Sequence, residues 1–268
     1  MPPIIEANNL SKEYELGRSI HRETLREFLV RNLNPLAWSR ALAKKTRQSR
    51  KFWALNDVSF EVAQGDVVGI LGRNGAGKST TLKSLMGVLT PRTGTVMLDG
   101  ADIAGLKSHA IAQAGMQLVH EERRIFGSLS VEENLVLAGL TASGRWPLDR
   151  IYQMFPRLKE RRGSRGTDLS GGEQQMLAIA RALVRDPKIV LLDEPFEGLA
   201  PVIVRDLMTA CRNLAAAGQT IVLVEQNLAA TLALAQRVYI INNGHIVHEG
   251  PAQEIKAQPE LLQRYLGV

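Results

Sequence analysis

The sequence predicts an α/β fold with a mainly parallel core sheet, an antiparallel β side sheet and a helical subdomain. Short apolar runs at residues 67–71, 189–193 and 220–224 have the length and composition of buried strands. Helix-like segments separate the later runs, as expected where crossover helices cover the faces of a parallel sheet. The early segments 54–71 and 95–98 are expected to pair antiparallel and to form the side sheet.

Capping and turn signals divide the rest of the chain into further elements. Ser130 and Glu133 form a capping box, which predicts the start of a helix. Asn243-Gly244 predicts a tight hairpin. Helices are also predicted at 108–114, 172–185, 201–217, 227–235 and beyond residue 252, and strands at 4–10, 116–119, 238–242 and 245–248. Residues from about 130 to 175 form the predicted helical subdomain within one domain of 268 residues.

Composition limits the cellular setting of the chain. Cys211 is the single cysteine among 268 residues and cannot form an internal disulfide, which fits a reducing compartment. No run approaches the ~20 apolar residues that a membrane-spanning helix needs. The first residues lack the charged and apolar regions of a signal peptide. These features predict a cytoplasmic chain.

A basic segment, residues 18–51, follows the first predicted strand. Ten Lys and Arg against two Glu give it a charge of +8, whereas the whole chain carries +6. The remainder is slightly acidic, so the charge does not indicate a general nucleic-acid surface. Apolar residues at helical spacing within 25–36 predict an amphipathic helix. Such a stretch can lie at a membrane surface or pack on a partner, and a solvated surface insertion is the alternative.

The most specific motif lies between the strand at 67–71 and a helix-like segment. Its sequence is Gly72-Arg73-Asn74-Gly75-Ala76-Gly77-Lys78-Ser79-Thr80, which fits G-x-x-x-x-G-K-[ST]. The glycines let backbone N–H groups turn inward around an anion, and the helix N-terminus points at the same place. Lys78 supplies a charge for the β- and γ-phosphates, and Ser79 offers a hydroxyl to Mg²⁺. The motif predicts a P-loop NTPase that binds a nucleoside triphosphate.

A second element of the predicted phosphate site is the apolar run that ends in Asp193-Glu194. Asp193 emerges at the end of a buried strand, where open α/β sheets bind ligands, and can hold Mg²⁺. Glu194 is placed to accept a proton from the water that attacks the γ-phosphate, or to orient that water. An apolar run ending in two acids is weak evidence alone and gains its meaning from the phosphate loop upstream.

A third element, Leu169-Ser170-Gly171-Gly172-Glu173-Gln174-Gln175, stands directly before a predicted helix. Ser170 and the two glycines form a helix N-terminus that can donate N–H groups to an anion. Because the chain already has one phosphate site, a second such helix start suggests a γ-phosphate that is contacted from two sides.

With these three elements in this order, the chain resembles the nucleotide-binding subunit of ABC transporters over residues 1–17 and 52–268. The resemblance implies that two such subunits pair head to tail and sandwich two ATP molecules. Ser170, Gly171, Gly172 and Glu173 would then form the signature segment that contacts the ATP held by the partner's phosphate loop. It also implies that an aromatic residue after the first strand stacks on adenine, which favours Tyr14 over Phe52 or Trp53.

Three positions depart from the common pattern of that family. Glu121 stands where a glutamine is usual and would reach ATP and Mg²⁺ as a carboxylate. Gln226 replaces the usual histidine and would donate a hydrogen bond to the γ-phosphate. Ala200 replaces a usual aspartate. These departures resemble the second ATPase of the high-affinity branched-chain amino acid importers and of the related urea and amide importers. By contrast, the basic insertion, with Phe52-Trp53-Ala54-Leu55 after it, resembles the ATPases of polysaccharide exporters.

The resemblance implies an ATPase with ATP and Mg²⁺ as cofactors, peripheral on the inner face of the cytoplasmic membrane. Its expected partners are membrane permease subunits, a second ATPase subunit in a homo- or heterodimer and, indirectly, a solute-binding protein; no nucleic acid is expected. Uptake of branched-chain amino acids or a related small polar solute is the favoured function. Export of a lipid-linked glycan is the alternative, and a soluble ABC-type ATPase acting on nucleic acid or ribosomes is a third hypothesis.

Overall fold

The computed structural model describes residues 3–16, 50–140, 144 and 146–267. It divides into two compact units, Met1–Lys12 with Ala54–Val268, and Glu13–Trp53. The predicted helix within the basic insertion lies outside the described residues. In the second unit, Lys51 Nζ lies 3.4 Å from Glu13 Oε1. Among the described residues, no helix combines the length and the apolar character that crossing a membrane requires.

The larger unit contains a six-stranded sheet in the order β10-β9-β3-β8-β7-β6. Its strands are β3 (Val67–Leu71), β6 (Met116–Val119), β7 (Ile189–Asp193), β8 (Thr220–Glu225), β9 (Arg237–Asn242) and β10 (His245–Pro251). All pairings are parallel except that of β9 with β10. This hairpin turns at Asn243 and Gly244, which both have positive φ, as a tight hairpin turn requires. The mainly parallel core is therefore confirmed.

The antiparallel side sheet has the order β2-β1-β4-β5. Its strands are β1 (Pro3–Leu16), β2 (Arg50–Ala63), β4 (Thr93–Leu98) and β5 (Ala101–Asp102). The prediction that residues 54–71 belong together in this sheet was wrong for 67–71, because β3 lies between β8 and β9 in the parallel core. The first strand was also predicted too short, since extended structure continues through polar residues to Leu16.

Helices cover the core sheet and build the region between β6 and β7. They are α1 (Lys78–Leu85), α2 (Ser108–Gln113), α3 (Val131–Gly139), α4 (Leu148–Met154), α5 (Pro156–Glu160), α6 (Gly171–Leu183), α7 (Pro201–Ala216), α8 (Leu228–Leu234), α9 (Ala252–Lys256) and α10 (Pro259–Leu266). The capping box predicted at Ser130 and Glu133 is present at the start of α3. One apolar cluster joins α3–α7 to the core strands, and a second lies between the side sheet and the core sheet.

The topology brings the ends of three parallel strands together. β3 pairs with β8, and β8 pairs with β7, so Leu71, Glu225 and Asp193 end adjacent strands at the same edge. Loops that leave the carboxyl ends of parallel strands form the ligand sites of open α/β sheets. The phosphate loop, the acid pair and Gln226 follow these strand ends, which positions them for one common site.

Candidate nucleotide-binding site

The phosphate loop depends on glycine at two crowded positions. Gly77 precedes α1 with φ 113°, and a Cβ there would lie 2.7 Å from the Ala54 carbonyl oxygen. A Cβ on Gly72 would lie 2.7 Å from the Ile241 carbonyl oxygen. These approaches are shorter than real Cβ contacts, so side chains would force the backbone apart. The loop therefore holds the closely turned backbone that a phosphate cradle needs.

Lys78 occupies the centre of the site and is almost fully buried. Its Nζ donates to the Gly72 carbonyl at 2.6 Å and lies 3.4 Å from the Arg73 carbonyl. The same nitrogen lies 3.0 Å from Glu194 Oε1, with the two side chains 3% and 8% exposed. A buried ammonium needs this many oxygen partners to offset its lost hydration. The phosphate-loop lysine and the proposed catalytic carboxylate thus form one buried ion pair.

Ser79 and Asp193 are joined directly: Ser79 Oγ donates to Asp193 Oδ1 at 2.8 Å. Asp193 is buried, and burial raises the pKa of its carboxyl although the Ser79 hydrogen bond opposes the shift. Two hard oxygen donors at this position fit a magnesium site that is completed by phosphate oxygens and water. Among the described residues, no group of three or more His, Cys, Asp or Glu side chains can hold a metal alone.

Glu194 has a strained backbone conformation, with φ 47°, and its N–H donates to the Val224 carbonyl at 3.0 Å. Positive φ is uncommon for residues other than glycine and is found at functional sites. Burial tends to raise the pKa of Glu194, but hydrogen bonds from Glu197 and Lys78 outweigh it and hold the pKa below the ordinary value. The carboxylate is therefore ionised and held beside Lys78.

Glu197 is a neighbour of Glu194 that the sequence interpretation did not single out. Its hydrogen bond to the Glu194 carboxylate, with burial and repulsion from nearby acids, raises the pKa of Glu197 to about 7. Two carboxyl groups at one site cannot both ionise freely, so one is driven to keep its proton. The pattern of two acids three residues apart gave a weak signal for this pair.

Gln226 does reach the site. Its Nε2 donates to Asn74 Oδ1, and its side chain is one of the groups that lower the pKa of the Glu194 carboxyl. The structure therefore places the residue in the usual histidine position between the phosphate loop and the proposed catalytic carboxylate. An amide can donate there without titrating near neutral pH.

Glu121 lies two residues after the end of β6. It is exposed in the loop after β6, and its charge acts on Glu197. In the same loop, the charge of His120 acts on Asp193. The pKa of His120 is itself lowered by burial and by the nearby charge of Arg124. The predicted contacts of Glu121 with ATP and Mg²⁺ stay predictions.

The signature segment begins α6 with a complete capping box. Ser170 Oγ accepts from Glu173 N–H at 3.3 Å, and Glu173 Oε2 accepts from Ser170 N–H at 2.7 Å. The Ser170 hydroxyl proton is still available to an outside acceptor, because the capping bond uses only an oxygen lone pair. Gly171 and Gly172 lie in the first helical turn, where backbone N–H groups have no acceptor within the helix. The geometry suits an anion at this helix start, and its contact with a partner's ATP stays a prediction.

Tyr14 and Ala200 are the remaining positions that the sequence singled out. Tyr14 is 36% exposed and belongs to the second unit, so its stacking on adenine stays a prediction. Ala200 directly precedes α7, whose first residue is Pro201. Glu225, which the sequence motifs did not single out, is a buried carboxylate at the end of β8.

Fold and site together define a nucleoside triphosphatase with a phosphate loop, a strand-end acid pair and an anion-binding helix start. The comparisons with known proteins give its family. Residues 55–197 match the family model described as "ABC transporter", and the chain belongs to that family. Proteins of this family bind and hydrolyse ATP, and their ATP-binding subunits dimerise and work with membrane permease components.

Two curated relatives are similar over most of the chain. The high-affinity branched-chain amino acid transport ATP-binding protein BraG of Pseudomonas aeruginosa is 43% identical over 220 residues, covering 81% of this chain and 94% of the relative. The lipopolysaccharide export system ATP-binding protein LptB of Acidithiobacillus ferridurans is 37% identical over 223 residues, covering 81% and 92%. A solved nucleotide-free ATP-binding cassette of an ABC transporter has a TM-score of 0.74 at 25% identity, covering 97% of this chain and 96% of that chain.

Proposed function

We propose that this chain is the ATP-binding subunit of an importer for branched-chain amino acids or a related small polar solute. The observation that carries the ATPase part is the buried contact between Lys78 Nζ and Glu194 at 3.0 Å, beside Ser79 bonded to Asp193. The direction and solute are supported by the 43% identity to BraG and by Gln226 in the usual histidine position. The subunit works at the inner face of the membrane with permease subunits.

Each residue of the site has a distinct role in this proposal. The loop of residues 72–80 holds the phosphates, and Lys78 neutralises the β- and γ-phosphate charge. Ser79 and Asp193 would hold Mg²⁺, which supplies charge neutralisation to the phosphate oxygens when bound. Glu194 orients the attacking water and accepts its proton. Gln226 donates its amide hydrogen to the γ-phosphate in place of Asn74.

The second half of each ATP site comes from another ATPase subunit. The Ser170 hydroxyl and the first-turn N–H groups of Gly171 and Gly172 donate to the γ-phosphate held by the partner's loop. Glu173 belongs to the same signature segment and fixes the serine through the capping box. Two ATP molecules then join the subunits, and hydrolysis separates them.

A groove of about 370 Å³ between β6, α3 and α6 is the proposed permease site. Four arginines line it, and the Arg181 guanidinium lies 4.5 Å from the centre of the exposed Phe126 ring. Exposed Leu137 adds an apolar wall, and Leu140 at the end of α3 is 71% exposed. An apolar rim with cationic walls fits a short permease helix that carries acidic and apolar side chains.

The decisive test uses Glu194→Gln in the full chain. ATP is expected to convert this variant, with its partner subunits present, into a dimer that persists, because binding continues while hydrolysis stops. Glu249→Gln is the matched control, since Glu249 forms an exposed ion pair with Arg237 at the same 3.0 Å separation. Size-exclusion chromatography with light scattering measures the outcome. A Glu194→Gln protein that binds ATP and stays monomeric with its partners present would refute the sandwich.

Export of a lipid-linked glycan is the second candidate, favoured by the 37% identity to LptB, a lipopolysaccharide export protein. The two candidates predict different partners. An importer is expected to co-purify with two long permeases and to be stimulated by a solute-loaded binding protein. An exporter is expected to lack such stimulation. Reconstituted ATPase activity with and without the binding protein and leucine separates the two.

A further inference from the structure

The carboxylate of Glu225 is buried between two loops of the site. Its side chain is enclosed, with the residue only 2% exposed, and it makes three backbone contacts. Oε1 accepts from Phe196 N–H at 3.0 Å. Oε2 accepts from Gln226 N–H at 3.1 Å and from Asn227 N–H at 3.2 Å. One side chain therefore joins the loop after β7 to the loop after β8.

Those two loops carry the groups proposed to act on the γ-phosphate. Phe196 is two residues after Glu194, whose backbone is held at φ 47°. Gln226 directly follows Glu225, hydrogen bonds to Asn74 and helps to lower the pKa of the Glu194 carboxyl. Strained conformations persist only where surrounding contacts fix them. The carboxylate of Glu225 supplies such a contact on both sides of the Glu194–Gln226 pair.

Within the part of the chain that the structure describes, Glu225 has no ion-pair partner that would explain its burial. Burial raises the pKa of its carboxyl, the three backbone N–H groups oppose that shift, and the nearby charge of Glu194 adds to it. A buried carboxylate beside other acids costs stability unless hydrogen bonds compensate. All three donors belong to the two loops, so the hydrogen bonds that offset the burial of the carboxylate also hold these loops in place.

We propose that Glu225 is a positioning residue for ATP hydrolysis: by tying the Phe196 N–H to the Gln226 and Asn227 N–H groups, it sets the distance between Glu194 and Gln226 across the γ-phosphate site. It touches no reacting atom. The proposal rests on the proposed roles of Glu194 and Gln226.

The backbone of Glu225 provides an internal control. Its carbonyl accepts from Gly72 N–H at 3.4 Å, a contact that a side-chain substitution leaves in place. Phosphate-loop geometry, and with it ATP affinity, should therefore survive a change of the side chain. Hydrolysis should not, because displacement of a reacting group by about 1 Å can cost roughly 100-fold in rate.

The informative variant is Glu225→Gln, which keeps the shape of the side chain. The amide of this variant has one oxygen, which can accept either from the Gln226 and Asn227 N–H groups or from the Phe196 N–H. Its NH₂ group then faces N–H donors on the other side and cannot accept from them. Glu249→Gln, at an exposed ion pair, is the control for the same chemical change. Glu225→Ala removes all three contacts and Glu225→Asp keeps the charge on a shorter arm.

The experiment measures ATP binding, hydrolysis and amide exchange of the full chain, with hydrolysis assayed in its assembled transporter. For Glu225→Gln we expect a kcat about 10- to 100-fold lower and a KM and Kd for ATP within about 3-fold of wild type. Hydrogen–deuterium exchange should accelerate in peptides covering 195–199 and 226–228, with 67–85 unchanged. Glu225→Asp should recover part of the lost kcat.

Three results would overturn the proposal. One is a kcat for Glu225→Gln within twofold of wild type. Another is accelerated exchange throughout the core sheet with a matching loss of the folded fraction, which would make the role of Glu225 purely structural. The third is an equal loss of ATP affinity and kcat. Glu194→Gln separates this proposal from the proposed function: if that variant still hydrolyses ATP at the wild-type rate, the role of Glu194 fails, whatever Glu225 does.

Discussion

The buried ion pair of Lys78 and Glu194 allows a quantitative prediction about stability. Breaking a buried pair by removing one partner costs about 3–5 kcal/mol, because the other charge stays buried. Lys78→Met leaves the Glu194 carboxylate with its contacts to Glu197 and Gln226, so we expect a loss of about 3 kcal/mol. Glu194→Gln leaves Lys78 with the Gly72 carbonyl at 2.6 Å and an amide oxygen, so about 1–2 kcal/mol is expected.

The double variant completes the thermodynamic cycle. It should lose less than the sum of the single variants, which gives a coupling energy of about 1–2 kcal/mol. The exposed pair of Arg237 and Glu249 has the same 3.0 Å separation with side chains 41% and 51% exposed, and should couple by less than about 1 kcal/mol. The two pairs match in separation and in the signs of their charges, and they differ in burial and in the cation, lysine in one and arginine in the other.

Urea-induced unfolding at pH 7 without nucleotide measures both cycles. A loss of 3 kcal/mol corresponds to a fall in Tm of roughly 6–12 °C for a chain of this size. Because the pKa of Glu194 is lowered in the folded state, its stabilisation is present above its ordinary pKa of about 4.3 and is lost as the pH falls through the folded pKa. Equal coupling energies in the buried and exposed pairs, or a buried coupling that does not decrease in acid, would refute the reasoning.

Three further predictions concern the helical subdomain and the signature helix. Asn134 is fully buried and makes four hydrogen bonds to the backbone of residues 126–130. Asn134→Leu should therefore lower the free energy of urea unfolding by about 2–3 kcal/mol and accelerate amide exchange in residues 126–130. Unchanged exchange in that segment would contradict this prediction. A methyl on Gly172 would lie 2.3 Å from Ile203 Cγ2, so Gly172→Ala should lower the free energy of unfolding by about 1–3 kcal/mol. Gly163→Ala is the control and should change it little, because a Cβ at Gly163 has nothing within 4 Å. Hydrogen bonds from the capping serine lower the pKa of Glu133. Glu133→Gln keeps an acceptor but cannot titrate, so this variant should be less stable than wild type above about pH 4.3, and the difference should vanish in stronger acid. A difference in Tm that does not depend on pH would count against the capping role.

The main features of the fold were predictable because they depend on local patterns. The apolar runs at 67–71 and 189–193 form fully buried strands, and the capping boxes at Ser130 and Ser170 begin helices. Sheet membership was harder: β3 follows the side-sheet strand β2 after a short turn, yet pairs with strands more than 140 residues away. Pairing over such distances depends on tertiary contacts that no window of sequence contains.

The proposed site was predictable where a motif fixes residue type and spacing, as at Lys78, Ser79 and Asp193. Glu197 and Glu225 were missed because their significance depends on what lies beside them in space. Glu197 matters through its hydrogen bond to Glu194, and Glu225 through three N–H groups on two loops. Apart from the three-residue spacing of Glu194 and Glu197, the sequence gives no sign of such neighbours. The contacts expected of Glu121 are with ATP and Mg²⁺, so they stay a prediction.

The contacts among the proposed catalytic groups bear on how Glu194→Gln should be interpreted. Lys78 is bonded to Glu194, Ser79 to Asp193, and Gln226 to Asn74, so each group already has a partner within the chain. A phosphate that binds Lys78 must compete with the Glu194 carboxylate, and these exchanges lower the apparent affinity for ATP. If Glu194 has the proposed role, removing its charge is expected to have two effects: hydrolysis stops, and Lys78 becomes easier for a phosphate to engage. ATP binding can be measured on the monomer, below its dimerisation concentration. Tighter binding by Glu194→Gln than by wild type would then show that Lys78 is easier to engage, independently of any loss of hydrolysis.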